Sequence, residues 1–96
     1  MTNTEIAAIF EDIADLLKRR KDNIFKIRAY RRVAESIIEL PVEVAQLVKE
    51  GRLKAIPGVG EAIAKKLVEL ATTGKLEYYE RLRAEMGEVE SNGKRA

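Results

Sequence analysis

"LKAIPGVGEAIAKKLVEL", residues Leu53 to Leu70, is a helical-looking stretch that breaks at Pro57-Gly58-Val59-Gly60 and then restarts. Pro57 lacks an amide hydrogen and ends the preceding turn, Gly58 and Gly60 permit positive φ, and Val59 offers one apolar side chain to the core. After the turn, Ile63, Leu67 and Leu70 share one side of a helix over Glu61 to Thr73, and Gly74 is a natural stop. A turn of this kind can be purely structural. It can also bind: glycines at a helix N-terminus let a phosphate approach several backbone N–H groups and the positive end of the dipole. The adjacent lysines differ. Lys66 lies roughly 60° from Ile63, at the margin of the apolar stripe, whereas Lys65 falls on the far side. There Lys65 has Glu61 and Glu69 at i−4 and i+4, the spacing of solvent ion pairs. Apolar shielding and nearby positive charge would lower the pKa of Lys66, as an amine nucleophile requires. The alternative for Lys66 is a boundary lysine whose stem packs while its ammonium reaches water.

Outward from this turn, apolar periodicity predicts helices on both sides. Thr4 to Arg20 places Ile6, Ile9, Phe10, Ile13, Leu16 and Leu17 at helical spacing, with Asn3 or Thr4 as N-cap. Asp22-Asn23 interrupts that pattern. A second helix from Ile24 to Glu39 carries Tyr30, Val33, Ala34, Ile37 and Ile38 on one face, and Leu40-Pro41 ends it. Pro41 can open a third helix with Val44, Leu47 and Val48 inward and Gly51 as a left-handed cap. A short helical turn spans Arg52 to Ala55. The last helix turns Leu76, Tyr79, Leu82 and Met86 inward. No segment alternates as a strand would, so the expected fold is all-α, a bundle of about five short helices around one core. Residues 1–86 are read as one domain and 87–96, "GEVESNGKRA", as a flexible tail or linker.

Composition narrows the function. With 96 residues a single domain is expected. The chain has no Cys and no His, which removes disulfides, thiolate sites and the commonest zinc and acid-base side chain. No apolar run approaches the roughly 18 residues of a membrane span, and the acidic, amphipathic start is unlike a secretory signal, so a cytoplasmic location without membrane partners is the expectation. The net charge is only +2, yet the charges are segregated. Residues 1–17 hold four acids and no base, whereas Lys18 to Arg32 hold eight bases against Asp22. Such a stripe reads as a phosphate-facing surface or as a solvated helix face.

Taken together, "NIFKIRAYRRVAESIIELP" and "LKAIPGVGEAIAKKLVELATTGKLEYYERL" resemble the N-terminal, roughly eight-kilodalton domain of family-X DNA polymerases, the polymerase beta type, in a bacterial-type form. The likeness runs from about Ile6 to Arg83. It rests on Ala29-Tyr30-Arg31, on Pro57-Gly58-Val59-Gly60 as a helix-hairpin-helix, on the spacing of Ile63, Ala64 and Lys66, and on Thr73 to Leu76. The resemblance implies a SAM-like fold and a DNA-repair module, of the base excision repair kind, that binds gapped, nicked or single-stranded DNA through phosphates without reading sequence. The DNA contacts it implies are Lys26, Tyr30, Arg31, Gly58, Val59, Gly60, Lys65 and Lys66. In lyase-active members one lysine forms a Schiff base with the 5′-deoxyribose phosphate, and that position falls on Lys66. Hairpins of the family hold a monovalent cation, Na+ or K+, through main-chain carbonyls that fall on Lys54, Ile56 and Val59. No other cofactor is required, and a monomer followed by polymerase domains is the implied setting.

The sequence departs from the family in places. Ala62 replaces one pocket lysine, Tyr78 another basic position, Lys65 an acidic neighbour of the nucleophile, and Phe25 a base-stacking histidine. The chain offers no carboxylate cluster of the kind that holds two metal ions for nucleotidyl transfer, so polymerisation would belong elsewhere. Three readings stand at this point: a DNA-binding module, a lyase acting through Lys66, and a SAM-like protein-interaction domain whose basic stripe meets an acidic partner.

Overall fold

A computed structural model describes residues 1–87. It forms the all-α bundle expected, five helices and a 3-10 turn, with no strand among the described residues. Helices α1 (Asn3–Arg19) and α2 (Ile24–Ile38) make the most extensive helix contact. Helix α3 (Val44–Glu50) and the 3-10 turn (Leu53–Ala55) pack on α4 (Glu61–Thr73), and α5 (Glu77–Glu85) returns to α1. The predicted tail lies, from residue 88 on, outside the described residues.

One core joins these elements. Ile6, Phe10, Ile13, Leu16 and Leu17 of α1 meet Val33 and Ile37 of α2, Val44 of α3, Leu67 and Leu70 of α4, and Leu76, all buried. Each such side chain withdrawn from water contributes about 1.5–3 kcal/mol before conformational entropy is counted. Ile56 and Val59 extend the core beneath the glycine turn, so the hairpin is seated from below by its own apolar residues. Gly51 and Gly74 close α3 and α4 with left-handed φ of 65° and 76°.

Several helix boundaries differ from the sequence reading, each for a local reason. The cap of α1 is Thr2, not Asn3 or Thr4: the Thr2 hydroxyl accepts from the Glu5 amide and the Glu5 carboxylate accepts from the Thr2 amide. This reciprocal pair satisfies two donors at once. Asn3 is thereby released for tertiary work. Its Nδ2 donates to the Val42 carbonyl (2.8 Å) and its Oδ1 accepts from the Val44 amide (2.8 Å), so α1 caps α3. Pro41 consequently sits in a bend, and α3 starts at Val44 rather than at the proline. Ile38, expected on the inner face of α2, is 56% exposed at the end of that helix.

Candidate nucleic-acid interface

Four of the five helices begin with a side-chain acceptor. Thr2 serves α1, Asn23 accepts from the Phe25 amide of α2 (2.7 Å), Asn3 serves α3, and a Glu69 carboxylate oxygen accepts from the Glu77 amide of α5 (2.8 Å). Helix α4 has none. Its cap is Gly60, and among the described residues the amides of Gly60, Glu61, Ala62 and Ile63 meet no acceptor, the first ladder bond being Ala64 N–H to the Gly60 carbonyl. Gly58 takes φ 90°, a region open to glycine, and Val59 donates to the Ile56 carbonyl (3.1 Å) to close the turn. Helix termini with unsatisfied amides carry the positive end of the dipole outward. Because the Val59 side chain is buried, this residue can offer a ligand only its backbone.

The lysines beside the turn separate as their helical positions predict. Lys65 is exposed and Lys66 is half-buried. The ion pairs expected of Lys65 do not form, however. Glu61 pairs with Lys54 across the hairpin, and Glu69 turns to the α5 amide, leaving Lys65 without an ion-pair partner among the described residues. Lys66 places its Nζ 4.7 Å from the centroid of the Tyr78 ring, which stacks on Tyr30 at 6.2 Å and 14°. Tyr30 in turn meets Phe10 edge-on at 5.7 Å. A continuous aromatic chain thus runs from the core to the Lys66 ammonium. Burial holds the Lys66 pKa below the ordinary lysine value, and Lys26 lowers it further, while Glu69 opposes the shift. Burial likewise raises the Tyr30 phenol, with Tyr78 adding to the effect.

Lys26, Tyr30 and Lys66 are therefore brought together across α2 and α4. Lys26 also lies 3.6 Å from Asp22, whose carboxylate is held down to about 2, first by the Arg20 hydrogen bond and then by the Asn23 amide. Tyr78, noted in the sequence only as a departure, belongs to this group. Its hydroxyl is buried and meets no hydrogen-bond partner within bonding geometry among the described residues. A cleft of about 430 Å³ opens between α4 and the start of α5, lined in part by Lys65, Lys66, Tyr78 and Arg81. Beyond that departure the sequence marks Tyr78 by the Tyr78-Tyr79 pair, whose members take different neighbours: Tyr79 donates to Asp12 of α1, and Tyr78 meets α2 and α4.

Arg31 is not part of the group. Its guanidinium is held by Glu11 and Asp15 of α1, each at 2.9 Å, and these carboxylates keep it firmly protonated. Phe25 is 71% exposed and Ile24 51% exposed, so the α1–α2 turn carries two apolar side chains in water rather than in the core. The carbonyls named as cation ligands fit oxygen coordination in part: those of Lys54 and Val59 accept no hydrogen bond among the described residues, while the Ile56 carbonyl already accepts from Val59. No helix among the described residues is long and apolar enough to cross a membrane.

Residues 1–76 match the helix-hairpin-helix domain family, taking in α1, α2, α3, the glycine turn and the whole of α4. A match over most of the sequence, together with an uncapped α4 behind Pro57-Gly58-Val59-Gly60, leads to one assignment: the chain belongs to the helix-hairpin-helix domain family.

Proposed function

We propose that this protein is a non-sequence-specific DNA-binding module that grips phosphates with its α3–α4 hairpin. The observation that carries this reading is the start of α4, where unpartnered amides meet glycines and Lys65 and Lys66 follow within two turns. Family membership supports the same partner, since backbone amides and lysines recognise phosphate without reading bases. The contacts are the main chain of Gly58, Val59 and Gly60 and the ammonium groups of Lys65, Lys66 and Lys26, while Tyr30, buried between Phe10 and Tyr78, supports Lys66 from beneath through the Tyr78 ring. Arg31 holds α2 to α1 instead. Exposed Phe25 lies where it can stack on an unpaired base, which favours gapped or nicked DNA over intact duplex. In the setting implied by the resemblance, the module is the N-terminal domain of a bacterial-type family-X repair polymerase. The Lys54 and Val59 carbonyls, which accept no hydrogen bond among the described residues, would help hold a monovalent cation that stiffens the hairpin.

Titration of a gapped duplex by fluorescence anisotropy tests this directly. With about four phosphates neutralised, log K falls with log salt at a slope of roughly −3 to −4. A flat dependence between low and physiological salt contradicts the reading.

One observation favours a second activity. The Lys66 amine is half-buried, depressed in pKa by burial and by Lys26, and held over Tyr78. A larger neutral fraction at neutral pH lets Nζ add to the C1′ aldehyde of a 5′-deoxyribose phosphate and form an imine with loss of water. Loss of the C2′ proton to solvent then expels the 3′-phosphate of the downstream strand, and water hydrolyses the imine to free the sugar. Borohydride trapping on an incised abasic duplex checks it: wild type cross-links and Lys66→Ala does not. Equal trapping in both rejects Lys66 as the nucleophile.

A further inference from the structure

Arg31 and Arg32 are neighbours in the sequence and about 100° apart on α2, and the fold gives them different company. Arg31 is closed off by Glu11 and Asp15. Arg32 crosses to the hairpin. A Cβ placed on Gly58 would lie 3.3 Å from Arg32 Cδ and 3.4 Å from both its Cγ and its Nε. The arginine stem therefore runs over the Gly58 backbone, and the root of the guanidinium is already at the turn. Arg32 is exposed, and among the described residues no carboxylate pairs with it.

We infer that Arg32 is a DNA-phosphate contact of the hairpin, aimed by its passage over Gly58. The inference rests on the DNA-binding reading above. It adds a residue from α2, outside the hairpin itself, and gives Gly58 a second task beyond its φ of 90°: leaving room for an arginine stem. A guanidinium at this place meets non-bridging phosphate oxygens in a fork, adding a cation to the turn where the backbone supplies only amides. Its contribution is independent of sequence, as phosphate contacts are. The competing role for Arg32 is mere cover, its methylenes shielding the turn while the charge stays in water. Glutamine in its place keeps much of the stem and removes the charge, so the two roles separate.

The test compares wild type, Arg32→Gln, Arg32→Lys and Arg31→Gln on one gapped duplex, each titrated from about 50 to 200 mM salt. Arg32→Gln should weaken binding about five- to tenfold at the low end and make the salt slope shallower by about one. Arg32→Lys should restore the slope, and with it part of the affinity. Arg31→Gln should lower thermal stability and leave the slope unchanged. Circular dichroism melts of all four show whether each is folded at the titration temperature. A wild-type slope retained by folded Arg32→Gln overturns the inference while leaving the DNA-binding reading intact. Failure of the wild type itself to bind overturns that reading, and Arg32 as a contact with it.

Discussion

The α1–α2 pair and the α3–α4 pair are both helix hairpins, but they dispose of their polar groups in opposite ways. In the first, both helix starts are capped by side chains, Arg20 is held by Asp22 and Glu85, and Arg31 is held by Glu11 and Asp15. In the second, α4 starts on a glycine with no side-chain acceptor, and Lys65 and the Arg32 that reaches over Gly58 have no ion-pair partner among the described residues. Only α3 is closed, and α1 does that through Asn3. The basic stripe of the sequence is thus two populations. One part cements the bundle, and the other stays available to an anion. Perturbing the first pair should cost stability and spare binding; perturbing the second should do the reverse.

Phe10→Ala gives the largest expected effect. Phe10 is wholly buried in α1 and meets the Tyr30 ring, so its loss should cost about 3–5 kcal/mol in urea unfolding. DNA affinity of the protein that remains folded should change little. A large affinity loss there would mean that the aromatic chain, not the hairpin, sets the binding surface.

Asn3→Ala is expected next, at about 1–3 kcal/mol, because it leaves the Val44 amide without its acceptor and the Val42 carbonyl without its donor. The salt slope on DNA should be unaltered. A changed slope would show that α3 and the hairpin move as the α1 cap is lost.

Gly60→Asp makes the contrast sharpest, since it gives α4 the acceptor every other helix has. Gly60 has φ −105°, which other residues adopt, and a Cβ there meets nothing within 4 Å. Stability should rise by a few tenths of a kcal/mol, while DNA affinity falls roughly tenfold or more as the carboxylate occupies the amides and repels phosphate. Unchanged affinity would remove the α4 start from the interface.

The smallest effect concerns pH. Asp22 titrates at about 2 in the fold instead of the ordinary 3.8. The unfolded chain therefore binds the proton first, and the stability due to Asp22 is present above the ordinary value and lost as pH falls toward about 2. Asp22→Asn should flatten the acid limb of a stability profile between those values. An unaltered limb would mean that the Arg20–Asp22 contact contributes nothing in solution.

Much of this organisation is legible in the amino-acid sequence. Periodicity locates the five helices because each buries one stripe, and the stops at Gly51 and Gly74 follow from the left-handed φ that both adopt. Lys65 and Lys66 separate correctly by helical angle, since burial on α4 follows the stripe of Leu67 and Leu70. The Thr2-x-x-Glu5 box is readable too, although Asn3 and Thr4 compete as better-placed caps. What local pattern does not supply is contact between distant segments. Asn3 capping α3, Glu69 capping α5, and Tyr78 slipping between Tyr30 and Lys66 depend on how helices meet. The division of labour between Arg31 and Arg32 has the same origin. Neighbouring arginines look alike until α1 claims one and the glycine turn receives the other.

The central claim is that the α3–α4 hairpin is the surface that meets DNA. Backbone amide NMR of the isotopically labelled protein, titrated with a gapped duplex at low salt, tests it most directly. The account predicts the largest shifts at Gly58, Gly60, Glu61, Ala62 and Ile63, with smaller ones at Lys65, Lys66 and Lys26. Shifts that instead gather in the acid-rimmed groove between α1 and α2, at Ala7, Ala8 and Ala34, or no shifts at all, would contradict it.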